Sequence, residues 1–187
     1  NLYTVTAQLC RDGEVLDERV ERIGIRRLVV DRTERAGESR SPGAAHHGTT
    51  RVDEAPDPKS HFVFYVNGEP IMIKGSNWVP LDAFHSRDAE RVERAVALFD
   101  DLGCNMIRCW GGNVYEDHRF FDLCDERGIL VWQDLAFACA RYPQTEDLLG
   151  QVRGEVQAVA EKLRNHPSLA LWCGDNEIDT VYVVEGL

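Results

Sequence analysis

The sequence has no CxxC pair, no GxGxxG or GxxxxGKS/T loop, no long basic run and no apolar stretch near the roughly 20 residues of a membrane span. Each absence removes a class of function. The six cysteines (Cys10, Cys104, Cys109, Cys124, Cys139, Cys173) have no partner at zinc spacing, so no metal site is expected. Most sit in apolar stretches and read as small buried hydrophobes of a reducing compartment, which makes the cytoplasm the expected location. Against 32 acidic residues stand only 21 basic ones, a formal charge of −11, so neither nucleic acid nor a membrane is an expected partner. No charged-then-apolar signal peptide opens the chain, and no initiator Met. Asn1 to Ala7 reads as a strand already under way, so the N-terminus is expected to be a cut edge.

What is present is globular in character: 187 residues, 43% hydrophobic and 28% charged, enough for one domain or a small domain plus part of another. Residues 1–31 alternate like strands, with Tyr3, Val5, Ala7 and Leu9 on one face and a turn at Asp12-Gly13. Too short to stand alone, they look like the last strands of a sandwich. Residues 32–60 are rich in Gly, Pro, Ser, Thr and charge and have no apolar period, as a flexible linker would. His46-His47 within it is a solvated pair rather than a metal site. From residue 61 to 187 the texture changes. A hairpin turns on Asn67-Gly68, and helices and strands then alternate. Ser86 is the expected cap of a first helix, Gly128 the stop of a second and Thr145 the cap of a third. The order βαβαβαβ with apolar strands fits either an open doubly wound sheet or a (β/α)8 barrel. The strands end in Asn77-Trp78, Arg108 with Trp110, Asp134 and Asn176-Glu177, and barrels place their chemistry at such ends. A whole barrel takes about 250 residues, so only its first half is expected here.

The run Trp172-Cys173-Gly174-Asp175-Asn176-Glu177 carries an apolar strand straight into two carboxylates. A glycosidase needs one carboxyl that stays partly protonated near neutral pH, and a Glu walled by apolar groups can meet that need. Asn176 can bond a sugar hydroxyl. The plainer alternative is a pair of solvated loop acids. Trp78, Trp110, Trp132 and Trp172 fall near the ends of four successive strands, where indole faces suit the apolar faces of pyranose rings. Core packing is the alternative for any one of them. Arg108 can orient a carboxylate, or it can be a buried structural partner of Asp134. His118 and His166 read as structural.

Four segments carry a resemblance: FYVNGEPIMIKGSNWVPLDAF (64–84), NMIRCWGGNVYED (105–117), FFDLCDERGILVWQDLAFACARYP (120–143) and HPSLALWCGDNEID (166–179). Together they resemble glycoside hydrolase family 2, and the WGG and WQD-x-x-FACA-x-YP runs resemble its β-mannosidases. Arg22 to Arg26 is similar to the close of the sandwich domain that precedes the barrel in that family. The resemblance implies an α/β chain: the first half of a (β/α)8 barrel after the last strands of an immunoglobulin-like β-sandwich. It also implies retaining hydrolysis of terminal β-D-mannose from β-mannoside oligosaccharides, without a cofactor. On its terms Glu177 is the general acid/base and Asn176 the sugar-binding Asn, while Arg108, Trp110 and Asp134 line the mannose pocket; Trp78, from its place at a strand end, is a further expected substrate-binding residue. The family commonly reads Asn-Asn-Glu-Asn where this chain has Asp175-Asn176-Glu177-Ile178, so the surroundings of the acid/base differ.

Retention requires a second carboxylate about 5–5.5 Å from the first. The resemblance places it on a later strand, beyond Leu187, so the chain alone is expected to be inactive and to self-associate through its open barrel edge. Two other readings remain: a β-galactosidase or β-glucuronidase of the same family, and a carbohydrate-binding relative without catalysis.

Overall fold

The computed structural model describes residues 1–32 and 62–180. His46-His47 and all of the expected linker but Arg32 lie outside the described residues. Period-two patterning builds the N-terminal part as expected: β1 (Leu2–Arg11) and β2 (Glu14–Gly24) form a long antiparallel hairpin, with Asp12 and Gly13 at positive φ in its turn. Nearly all of its side chains are exposed.

The third strand departs from the expected boundary. β3 (Leu28–Arg32) leaves that hairpin and pairs antiparallel with β4 (Phe62–Val66), which pairs in turn with β5 (Glu69–Ile71). The change of partner falls between Gly24 and Leu28, not after residue 31. Cross-strand packing explains it. Leu28 sits opposite Val66 and Val30 opposite Phe64, which faces Ile71, so one apolar face is completed across three strands. Strand alternation reads the same whichever neighbour a strand chooses.

The remainder is β6 (Gly75–Trp78), a short 3-10 turn (His85–Glu90), α1 (Val92–Asp101), β7 (Met106–Cys109), α2 (His118–Arg127), β8 (Leu130–Asp134), α3 (Glu146–Leu163) and β9 (Leu169–Cys173). β6 to β9 are parallel and lie in sequence order. Thr145 caps α3 as expected, its hydroxyl accepting the Leu148 N–H at 3.3 Å. Gly128 ends α2 in the left-handed conformation. Ser86 caps nothing: it falls inside the 3-10 turn, and α1 starts from Arg91 with no side-chain cap.

Strand order and helix placement decide between the two α/β architectures. Val92 and Val96 of α1, Phe120, Phe121 and Leu123 of α2, and Val159 and Leu163 of α3 all enter one core with Ile107, Cys109 and Val131. All three helices therefore cover the same face of a sheet whose strands do not change order. That is the winding of a barrel rather than of a doubly wound sheet. On the opposite face Met106, Leu130, Trp132 and Leu171 meet Phe64, Ile71 and Ile73 in a second core. At the start of β6 a Cβ on Gly75 would lie 1.8 Å from the Met106 carbonyl oxygen, so only glycine fits there. The hairpin joins the barrel layer through Arg22 to Glu126 at 2.6 Å and through Arg26, which donates to the carbonyls of Pro167 and Leu169. No helix among the described residues is long and apolar enough to cross a membrane.

Candidate active site

Parallel register determines which side chains meet at the C-terminal ends of the strands. Asn77 pairs with Arg108, Arg108 with Trp132, and Trp132 with Leu171. Because side chains alternate, this row lies away from the helices, on the inner face. A bulge between Val131 and Trp132 in the pairing with β9 places Leu171, not Ala170, opposite Trp132.

Arg108 is the hub of the row. Its Nη2 donates to Asp134 Oδ2 at 2.6 Å and to Asn176 Oδ1 at 2.8 Å, and its Nε to Asp134 Oδ1 at 3.3 Å. Nη1 reaches Asn77 Oδ1 at 3.4 Å, and the guanidinium lies 5.2 Å from the Trp132 ring centroid. Asp134 is fully buried and also accepts from Trp132 Nε1 at 2.8 Å and from the Gly111 N–H at 3.0 Å. Its charge is thus met by a fork of Arg donors and two neutral donors. Of the two expectations for Arg108, the ion pair with Asp134 is the one seen, and the same guanidinium also holds the amide of Asn176.

Asn176 is buried, and its backbone extends the inner row past β9. Its N–H donates to the Phe137 carbonyl at 2.9 Å, and its own carbonyl accepts the Cys139 N–H at 2.9 Å. Glu177 follows at φ 60 with an exposed side chain, so the apolar wall expected around it is not built by the described residues. Asp175, the departure noted beside it, has a definite task. Its Oδ1 accepts the Ile178 N–H at 3.1 Å and closes the turn that presents Glu177.

The four tryptophans do not form the expected ring. Trp78 belongs to the helix-side core, 2% exposed, packed on Phe99 and Phe120, with Nε1 donating to Glu116 at 2.8 Å. The reason is register: Asn77, not Trp78, falls on the inner row, so a sugar cannot stack on Trp78. Trp132 is on the inner row beneath Arg108, and Trp110 is half-buried with its ring against Gly112. Trp172 aligns with Gln133, off the inner row, and is partly exposed.

Sequence reasoning missed Cys139, whose Sγ lies 3.3 Å from Glu177 Oε2 and 3.3 Å from Asn176 Nδ2. The only signal was its place in the run after Asp134. Asn77 was also left out of the site, although its position at a strand end was noticed. Away from the inner row, burial pushes the Glu116 carboxyl up from its ordinary range, opposed by the Trp78 N–H. Burial likewise raises the Tyr115 hydroxyl to about 12 and the Cys109 thiol well above its usual value. Asp122, Asp125 and His166 bring ligand atoms within 4.8 Å of one another. These groups are engaged in structure: His166 bonds Asp125 at 2.7 Å and His118 at 2.8 Å, and Asp125 accepts the Ser168 N–H at 2.8 Å. They tie α2 to the turn before β9.

Residues 60–185 match the model of the glycosyl hydrolases family 2 TIM barrel domain. A β-mannosidase of Capra hircus is 45% identical over 121 residues, covering 64% of this chain and 14% of the goat protein. β-Mannosidase B of Aspergillus fumigatus is 37% identical over 188 residues, covering all of this chain and 20% of the fungal one. The chain therefore spans about a fifth or less of the length of these curated relatives. Among solved structures, the β-D-mannosidase of Dictyoglomus thermophilum superposes with a TM-score of 0.73 at 41% identity, over 95% of this chain and 20% of that one. A Parabacteroides merdae β-glucuronidase, at 21% identity and a TM-score of 0.69 over 95% of this chain and 18% of that one, shares the fold.

Proposed function

Because the chain belongs to glycoside hydrolase family 2, we propose that it carries the acid/base half of a retaining exo-β-mannosidase that releases terminal, non-reducing β-D-mannose. The observation that carries this reading is the placement of Glu177. It stands past the end of β9, directly after an Asn176 whose amide oxygen is held by Arg108 and whose backbone is bonded on both sides. Preference for mannose over other sugars rests on the relatives, since the goat, fungal and bacterial proteins of 37–45% identity are all β-mannosidases.

In this mechanism the protonated Glu177 gives its proton to the glycosidic oxygen as the aglycone leaves, while a second carboxylate attacks the anomeric carbon. Glu177, now ionised, takes a proton from water, and that water displaces the enzyme carboxylate from the sugar. Asn176 bonds a sugar hydroxyl; Arg108 and Asp134 keep it in place, and Trp132 and Trp110 supply aromatic surface beside it. The attacking carboxylate is supplied by sequence outside these residues.

The test is hydrolysis of aryl β-mannoside, β-galactoside and β-glucuronide by the full-length polypeptide, wild type beside Glu177→Ala. Selective cleavage of the mannoside is expected, falling by about 10²–10⁴-fold in the variant. Activity that survives the substitution moves the acid/base elsewhere. Preference for another sugar overturns the mannosidase reading, and inactivity on all three favours a binding protein.

A further inference from the structure

Four residues other than glycine have a positive φ: Asp12, Asn67, Cys139 and Glu177, among the described residues. Asp12 and Asn67 occupy hairpin turns that ask for this conformation. Cys139 and Glu177 belong to no hairpin, and they touch each other. Such residues persist in the left-handed region only where their surroundings over-determine the backbone, and here that can be traced bond by bond. The Leu135 N–H donates to the Cys173 carbonyl at 2.8 Å, the Ala136 N–H to Tyr115 Oη at 2.9 Å and the Ala138 N–H to Tyr142 Oη at 3.0 Å. Gly111 lets the carbonyls of Leu135 and Phe137 approach so closely that an added Cβ would lie 2.8 and 2.5 Å from their oxygens. Phe137 and Tyr142 pack edge to face at 5.0 Å. The loop is pinned along its length, and the two backbone bonds to Asn176 make an isolated parallel bridge between Ala138 and Asn176.

The end product of this bracing is a thiol against the carboxyl. Asn176 Nδ2 donates to Cys139 Sγ at 3.3 Å, and the thiol in turn donates to Glu177 Oε2 at 3.3 Å. A chain of donors thus runs from Arg108 through Asn176 and Cys139 to one oxygen of Glu177. Glu177 is exposed, and this is the side-chain contact that orients its carboxyl among the described residues. A carboxyl held by one oxygen can rotate less, so its other oxygen, Oε1, is presented for proton transfer.

We propose that Cys139 is a positioning residue for the acid/base, holding Glu177 Oε2 so that Oε1 faces the leaving group. The inference rests on the role given to Glu177 above, and the experiment separates the two. The readout is kcat/KM of the full-length protein on two β-mannosides, one with a 2,4-dinitrophenolate leaving group and one with phenolate. The activated group departs with little help from a proton, whereas the poor one depends on it. Cys139→Ala removes the thiol. Cys139→Gly removes it too while tolerating a positive φ, so its folding is not threatened. Both are expected to lose about tenfold or more on the phenyl glycoside and less than about threefold on the dinitrophenyl one. Cys139→Ser, which keeps a hydroxyl donor, is expected to stay within about threefold of wild type on both. Equal losses on the two substrates, or no loss in the Ala and Gly variants, overturn the proposal. Glu177→Gln is the control: the same split, larger, is expected. If that split is absent, the reading of Glu177 itself fails, whatever Cys139 does.

Discussion

Asp134 shows how much of this site is decided by a single side chain. It is fully buried and accepts from Arg108, Trp132 and the Gly111 backbone at once. Asp134→Ala would leave the guanidinium and two N–H donors facing an empty space. Removing one partner of such a pair costs about 3–5 kcal/mol, because the remaining charge stays desolvated. Urea unfolding of the variant is expected to show that loss, and Asn176 is expected to lose its fixed amide as Arg108 reorients. A change under about 1 kcal/mol would mean the network is not what holds the strand ends together. The sequence could present Arg108 and Asp134 as partners but not as a hub, because their convergence on Asn176 crosses three strands.

At the scale of the element, two glycines of the same chain should respond in opposite directions. Gly75 opens β6 against the Met106 carbonyl, so Gly75→Ala must push β6 and β7 apart and is expected to destabilise by about 1–3 kcal/mol or more. Gly150 is exposed inside α3, and an added Cβ there meets nothing within 4 Å. Gly150→Ala is expected to stabilise by about 0.4–1 kcal/mol, since alanine loses less backbone entropy in a helix. Thermal melting of the pair side by side checks both signs. Helix periodicity located α1, α2 and α3, and Thr145 caps where expected. Ser86 does not cap, because the chain takes a 3-10 turn first and α1 begins only at Val92. A capping residue is a local preference, and packing of Val92 and Val96 into the core decided where the helix starts.

For the whole molecule, the decisive feature is an inner face that the described residues do not close. β6 and β9 are the terminal strands of the parallel sheet. The apolar cavity beside it, about 520 Å³, is lined by Phe64, Ile71, Met72, Ile73, Met106 and Trp132 among others. Met72 is 79% exposed and Phe62 58%. Such a surface and such edges favour association. The isolated 187-residue chain is therefore expected to give a size that grows with concentration in sedimentation, and no hydrolysis of aryl β-mannosides. A monodisperse monomer, or turnover abolished by Glu177→Ala, would contradict this account.

The boundary between what could be read and what could not follows from the range of the forces involved. Strand alternation, helix period, turn residues and the order of elements are local properties, and the sequence alone determined them together with the family, through motifs of contiguous residues. The allegiance of β3 to β4, the burial of Trp78 and the contact of Cys139 with Glu177 were decided only in the tertiary structure. Each depends on which strands become neighbours and in what register, and a shift of one residue moves every side chain to the opposite face. Trp78 and Asn77 are adjacent in sequence, yet register sends one to the helix-side core and the other to Arg108.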